Sequence, residues 1–520
     1  MSALWPKYVS ECKSRLSAIA RSCFLGRARW AEKCREQREA IVELRGEASN
    51  AEARVEELAQ ENDELRERIA ELEAQLARPQ PLELPLGEAP PGQQYGAGMI
   101  TLCVNLARQI GLRPVPRVLS VFADWGGVEI AIPAYQSIRG WMQRIGLDRM
   151  QSVKNSSGGI WLTDHTNQIG KEKVLTILRV SDSQWARSGP SLRHEDMEVL
   201  AIVPGEQWKR EDVAKAYQEV ADRCGVPRAI ESDGAVELQE PAETLGKPEK
   251  KPLVLRDPKH FLANKFEALL ASDPQYQAFA RHLAGTRSTL QQTELAHFIP
   301  PASKMKARFM NMEPTLNWAS MVLWHLGHPK SESRQSVPES RMTEKLGWLR
   351  DFAASIEQWQ RCQEVVSIAL TFLNEQGIFR GAAKQFAKRV AHLKHNPMSQ
   401  QLVDHVAEFL RGYERKLRPR EQLPMSTEIL ESSFSLYKQL EKQHAKSGFT
   451  SLLLTYPVLL RETTPKEVTE CFTRVKVDDV KQWVKLNLPN TLASRRRLAY
   501  AEAKTKTKQT RSATSIATTA

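Results

Sequence analysis

Three acidic residues, Asp164, Asp233 and Glu431, lie in segments able to bring carboxylates together. Asp164 ends the apolar run Gly159-Ile160-Trp161-Leu162-Thr163, and Asp233 follows Arg228-Ala229-Ile230-Glu231-Ser232. Glu431 lies in Ser426-Thr427-Glu428-Ile429-Leu430-Glu431-Ser432-Ser433-Phe434, which has a helical pattern. Two strand ends and one helix converging on a point would make a hard-oxygen site suited to Mg²⁺ or Mn²⁺ rather than zinc. The chemistry such a site serves is in-line attack on a phosphodiester. Two carboxylate-held ions activate the entering oxygen and neutralise charge on the leaving one. Most Asp and Glu residues of any chain are solvated surface groups, so the surrounding pattern has to carry the choice.

With 520 residues the chain is long enough for three or four folding units. Lys and Arg number 74 against 62 Asp and Glu, a net charge of +12 that favours an anionic partner. No apolar run approaches a membrane span, and the opening Met1-Ser2-Ala3-Leu4-Trp5-Pro6-Lys7 lacks a signal-peptide core, so nucleic acid is favoured over membrane. The seven cysteines are scattered and never arranged as Cys-x-x-Cys, which suits a reducing compartment. A cytoplasmic, nucleoid-associated location is the expectation. Neither a Walker-type loop nor Gly-x-Gly-x-x-Gly is present, so nothing calls for a nucleotide cofactor.

The segments that must position the acids begin after Gly158-Gly159. A strand is expected from Ile160 to Asp164, then a polar turn from His165 to Lys173, and strands from Val174 to Val180 and Glu198 to Val203. A helix from about Arg210 to Cys224, a strand from Arg228 to Ser232 and a fifth strand at Lys251–Leu255 follow. Residues 240–251, rich in Glu, Lys, Pro and Gly, make a poor helix. Asp257-Pro258-Lys259-His260 then opens a helix through Leu270. From Phe261 to about Gln422 the spacing is helical, as in Leu346, Leu349, Phe352, Ile356 and Trp359, and in Phe386, Val390 and Leu393.

This order resembles the DDE transposases of the ribonuclease H-like superfamily that carry a helical insertion before the last acid. The likeness spans residues 158 to 460. It implies an α/β ribonuclease H-like core interrupted by an all-α insertion, with Asp164, Asp233 and Glu431 as catalytic metal ligands for two Mg²⁺ or Mn²⁺ ions. Many members place a Lys or Arg two helical turns after the Glu. Lys438 occupies that place for Glu431, whereas Glu428 has Ser435 there and is held in reserve. Asp257-Pro258-Lys259-His260 resembles the Cys/Asp-x-x-His motif of the family, which implies His260 near the scissile phosphate with Asp257 orienting it. Helix-start capping by Asp257 is the plainer account of that pair. The insertion's Lys384, Lys388, Arg389 and Lys394 could grip DNA ends or serve as solvated charge.

Upstream, Ile41, Leu44, Ala48, Ala51, Val55, Leu58, Asn62, Leu65, Ile69, Leu72 and Leu76 alternate by three and four residues. Asn62 at an a position among Leu-rich d positions favours a parallel two-stranded coiled coil, with Glu61–Arg66 and Arg68–Glu73 attracting between chains and Glu47 facing Glu52 as a mismatch. A single charged helix is the alternative. Between Gly98 and Leu147 two helical segments suggest a helix-turn-helix. The stripe Ile138, Trp141, Met142 and Ile145 would leave Gln136, Arg139, Gln143 and Arg144 outward to read a major groove, or would belong to an ordinary bundle helix.

The expected divisions are a helical segment at 1–40, the coiled coil at 41–78, a linker at 79–97 and the helix-turn-helix at 98–150. The core follows at 158–270, the insertion at 271–424, the core's last part at 425–460 and a C-terminal segment at 461–520. The basic tail after Pro489 has a disordered composition, suited to screening phosphates or to solubility. Three functions stay open: a dimeric or larger transposase that frees a 3′-hydroxyl at double-stranded element ends and joins it to target DNA, an inactive dimeric DNA-binding regulator, or a nuclease that cuts without joining.

Overall fold

The computed structural model describes residues 5–77, 86–126, 128, 130–156, 158–169, 172–190, 192–205, 208–302, 312–330, 337–443, 450–489 and 495–504. The chain divides into two compact units, Met1–Leu84 and Pro85–Ala520.

The first unit is one helix, α1 (Trp5–Ala77). It is longer than the heptad pattern required and carries its apolar seam uncovered, with Val55 66% and Leu65 56% exposed. Arg68 pairs within the helix with Glu71 at 2.8 Å, and Arg66 with Asp63 at 3.6 Å. Among the described residues of this unit nothing covers the seam, so the helix owes its order to local propensity and such pairs.

The second unit is built on a five-stranded mixed sheet: β1 (Ile160–Ile169), β2 (Glu172–Val180), β3 (Glu198–Gly205), β4 (Ala229–Ser232) and β5 (Leu253–Arg256). Their spatial order is β3-β2-β1-β4-β5. β1 runs antiparallel to β2 and β2 to β3, while β1, β4 and β5 are mutually parallel. That arrangement is compatible with the ribonuclease H-like core that the sequence led us to expect. β1 is longer than expected: His165 and Thr166 pair with Leu175 and Val174, so the β1–β2 hairpin turns later than His165. A glycine precedes the strand because residue 159 has φ +71, and a Cβ on Gly159 would lie 2.7 Å from the Val180 carbonyl.

Side chains alternate across the sheet. Trp161 and Ile230 join one core with Val213, Tyr217 and Val220 of α6 (Arg210–Cys224). Ile160, Leu162, Ala229, Leu253 and Leu255 join the larger core on the opposite face. Ahead of the sheet come α2 (Ala97–Ile110), α3 (Pro114–Gly126) and α4 (Tyr135–Gln151), and α5 (Asp182–Ser188) follows β2. A further helix, α7 (Val236–Thr244), forms just ahead of and overlapping the stretch read as poor helix, with Pro241 inside it.

α8 (Pro258–Ala271) follows β5, and the stretch expected as the insertion holds α9 (Pro274–Leu290), α10 (Met312–Gly327), α11 (Glu339–Leu346), α12 (Ala353–Gln376), α13 (Ala382–Arg389) and α14 (Pro397–Glu414). It is not wholly helical, since Ile378–Phe379 pairs antiparallel with Gln422–Leu423. Tyr276, Phe279 and Trp359 make its aromatic centre, and Trp359 Nε1 donates to the Asp273 carboxylate that caps α9 at 2.9 Å. Leu346, Leu349, Phe352, Ile356, Phe386, Val390 and Leu393 are all buried.

The chain closes with α15 (Glu428–Lys442), α16 (Tyr456–Leu460), α17 (Pro465–Arg474) and α18 (Val477–Asn487). These correct the helix-turn-helix expectation. α4 packs against α16, α17 and α18, and every residue from Trp141 to Met150 is buried. Residues 98–150 therefore belong to the same compact unit as the C-terminal helices. In α3 the apolar residues Val118, Val121, Phe122 and Trp125 are exposed instead, Trp125 at 85%. The tail was expected to be disordered, yet residues 495–504 are helical and exposed. Residues 490–494 and 505–520 lie outside the described residues. Among the described residues no helix is long and apolar enough to cross a membrane.

Candidate active site

Asp164 sits midway along β1, paired with Thr176 of β2. It shares a sheet face with Leu162, the face that α15 covers. Asp233 follows the last residue of the neighbouring parallel strand β4. Its Oδ1 accepts from the Ala235 N–H at 2.8 Å across a turn whose middle residue, Gly234, has φ +93. A Cβ on Gly234 would lie 2.5 Å from the Arg256 side chain, so this glycine, unremarkable in the sequence, is needed to turn the chain behind Asp233. Glu431 lies in the first turn of α15.

Burial first, and then the charge of Asp233, push the Asp164 carboxyl up to about 7, with Glu431 adding to the effect and His260 opposing it. The three acids and His260 thus lie within electrostatic reach of one another. Such mutual repulsion in a partly dry site is what a bound cation relieves. The hard-oxygen donor set fits Mg²⁺ or Mn²⁺ by its chemistry. Its spacing does not: among the described residues no three His, Cys, Asp or Glu side chains stand close enough together to hold an ion.

The Asp257–His260 pair was legible in the sequence. Asp257 is fully buried and caps α8: its Oδ2 accepts from the His260 N–H at 2.9 Å and lies 2.8 Å from His260 Nδ1. Its Oδ1 accepts from the Thr427 N–H, just ahead of α15. Burial works against the Asp257 carboxylate, but these hydrogen bonds outweigh it and hold its pKa below the ordinary range. The same bond raises the His260 pKa against the effect of burial. The Nδ1 side of His260 is therefore fixed by Asp257, whose carboxylate favours the protonated ring.

Two further residues of the site were missed. Lys259 Nζ lies 2.9 Å from Glu431 Oε2, partly buried. Burial alone would lower the Lys259 pKa, and the bond to Glu431 raises it overall. Its sequence signal was its place inside Asp257-Pro258-Lys259-His260. Lys438, expected beside Glu431, is exposed, and its charge bears on Glu441 instead. Glu428 turns to the insertion, accepting from Asn374 Nδ2 at 3.0 Å. The second missed residue is Glu231, fully buried on β4 two positions before Asp233. Burial and the charge of Asp257 push its pKa well above the carboxylate range. Neither of its oxygens has a well-formed hydrogen bond among the described residues, the Ser426 backbone giving partial relief only.

The residues expected to read DNA are spent elsewhere, Gln136 excepted, which is exposed. Arg139 and Gln143 both donate to Ser451 Oγ at 2.8 Å. Arg144 donates to the Val475 carbonyl at 2.7 Å and the Phe472 carbonyl at 3.2 Å, with its guanidinium over the Phe472 ring. The outward face of the stripe is a second buried face, covered by a segment far along the chain. Lys384, Lys388, Arg389 and Lys394 are exposed, and Arg389 lies 3.6 Å from Glu375.

No family model matches this chain, and no curated protein does. Among solved structures it is similar to the Drosophila P element transposase strand transfer complex, at 10% identity and a TM-score of 0.37, over 71% of this chain and 91% of that one.

Proposed function

We propose that the protein is a DNA transposase of the Asp-Asp-Glu kind, acting on element ends and target DNA with Mg²⁺ or Mn²⁺. The observation that supports this reading is that Asp164, Asp233, Glu431 and the Asp257-braced His260 lie within electrostatic reach of one another, with the Asp164 carboxyl raised to about 7. When bound, the metal ions would activate the attacking oxygen and balance charge on the phosphate. Asp164, Asp233 and Glu431 have the donor chemistry to hold them but do not stand close enough together here to do so. His260, fixed through Nδ1, would donate from Nε2 to a phosphate oxygen as charge builds there. Water would attack first and free a 3′-hydroxyl, which would attack target DNA by the same in-line geometry, so no covalent protein intermediate is needed. Pairing of two α1 helices would bring two such sites to two ends.

The absence of a three-residue ion site among the described residues favours a second reading, a dimeric DNA-binding regulator that does not cut. Strand transfer separates the two. Labelled DNA from the flanks of the protein's own gene, incubated with plasmid and Mg²⁺, should be joined by the native protein and not by Glu431→Gln. Binding with neither cleavage nor joining supports the regulator, and cleavage without joining a simple nuclease.

A further inference from the structure

The seam of α1 does not end where its apolar heptads do. α1 is one continuous helix from Trp5 to Ala77, so the segment ahead of Ile41 shares the register of the heptads that follow. Counting back in sevens puts Cys34 at an a position, since 41 minus 34 is 7, and Cys23 at a d position, since 44 minus 23 is 21. Leu16, Ala20 and Trp30 fall on the same seam, which Arg27 and Gln37 interrupt. Leu16 is 66% and Trp30 73% exposed, Cys23 is exposed and Cys34 half-buried. Cys103, Cys224, Cys362 and Cys471 are buried instead, and Cys12 falls one residue ahead of an a position, off the seam.

From this we infer that Cys23 and Cys34 are inter-chain disulfide sites, each facing its own copy across a parallel, in-register pair of α1 helices that continues ahead of Ile41. The inference rests on the α1 pairing proposed above and needs nothing of the acidic site. Within one helix the two thiols cannot join: 34 minus 23 is 11 residues, about 16 Å of axial rise, well beyond the roughly 7 Å between Cα atoms that a disulfide spans. Between two helices they can. Axes about 8–10 Å apart, with Cα atoms about 2.3 Å from each axis, leave equivalent a or d residues about 4–6 Å apart, inside that span. An antiparallel pair would oppose at most one of the two cysteines to its own copy.

Charge makes the contact conditional. From Arg21 to Arg38 there are six Lys and Arg residues against two Glu, so two copies repel here, whereas the seam beyond Ile41 holds them together. That seam sets the register and keeps the thiols at high effective concentration. The oxidant is a small disulfide such as oxidised glutathione. A Cys34 thiolate attacks it and releases one glutathione thiol, and the Cys34 thiolate of the second copy then displaces the other glutathione as the inter-chain bond forms. Two protein thiols and one glutathione disulfide thus give one inter-chain disulfide and two glutathione thiols. Oxidation would make the pair permanent against dilution, and reduction would return it to a reversible one.

The test is oxidation of the full-length protein at micromolar concentration with oxidised glutathione, read by non-reducing electrophoresis and mass spectrometry of the linked peptides, beside light scattering of the reduced protein. The native chain should give a covalent dimer, reversed by dithiothreitol, with Cys23 linked to Cys23 and Cys34 to Cys34. Cys23→Ser with Cys34→Ser should lose it. Leu58→Lys with Leu65→Lys keeps both thiols and should cross-link at least about tenfold more slowly, because pairing is what raises the thiols from micromolar to about millimolar effective concentration. A reduced dimer that gives no covalent dimer, or one that links Cys23 to Cys34, would overturn the inference and leave the pairing standing. Cross-linking at an equal rate in the two-lysine variant would overturn it as random collision. A monomeric reduced protein would remove the pairing and the inference together. Matching helical circular dichroism of the native and double-serine proteins shows that loss of the link is not loss of the helix.

Discussion

Asp257 Oδ1 accepts a hydrogen bond from the backbone N–H of Thr427 at 3.0 Å, across a sequence separation of 170 residues. Its other oxygen holds His260, so one buried carboxylate clamps the start of α8 to the start of α15. Removing it leaves His260 and the Thr427 N–H without their acceptor. Asp257→Ala should lower stability by about 3 kcal/mol in urea unfolding. Asp257→Asn keeps one acceptor oxygen and should lose less. Equal stability of all three proteins would show that the clamp holds nothing.

Asp164 makes stability depend on pH in a defined direction. Its folded-state pKa, about 7, lies above the ordinary value of 3.8. The native state therefore binds a proton that the unfolded chain has released, and the stabilising contribution is complete below about pH 4 and lost as pH rises through 7. Asp164→Asn should remove this slope and be more stable than the native protein at pH 8, by about 2 kcal/mol after allowance for its partial exposure. Parallel pH profiles for the two proteins between 5 and 8 would count against this account. Metal binding needs the carboxylate, so Mn²⁺ affinity of the native protein should rise over the same interval.

Arg149 anchors α4 to the C-terminal helices. It pairs with Glu467 at 2.9 Å and donates to the carbonyls of Pro457, Arg461 and Glu462, with a side chain only 6% exposed. Arg149→Met leaves Glu467 partly buried without this cation and three carbonyls without a donor. A loss of about 3 to 5 kcal/mol is expected, with the transition remaining single because both segments belong to one core. A shift below 1 kcal/mol would show that water replaces the guanidinium at no cost.

The exposed seam of α1 should be covered by a second copy. Leu58→Lys with Leu65→Lys places like charges at two d positions and should convert a dimer to a monomer in light scattering at micromolar concentration. Equal masses for native and variant protein would leave α1 a solitary helix.

The sheet was readable from the sequence because each strand begins as a short apolar run; Asp233 falls just past the end of such a run, whereas Asp164 lies inside a strand that continues to Ile169. The Asp257–His260 pair was readable for a similar reason, since a helix cap acts over three residues. What could not be read is what depends on distant segments. The amphipathic stripe of α4 assigned Gln143 and Arg144 to solvent, yet Ser451, Phe472 and Val475 cover them. Helical spacing offered Lys438 as the partner of Glu431 because it sees only one helix. The lysine that reaches Glu431 comes from α8, brought there by the Asp257 clamp.

The burial of α4 also sets an order of events for the newborn chain. Arg144 waits for Val475, 331 residues later. On the ribosome α4 therefore emerges with two faces that need covering, one apolar and one of unpaired guanidinium groups, and the segment that covers the second is made only long after it. The core cannot close from the N-terminal end forward: the helices that follow α15 act as the fastener, and a chain truncated before Pro457 leaves α4 unsealed, exposed to chaperones and proteases.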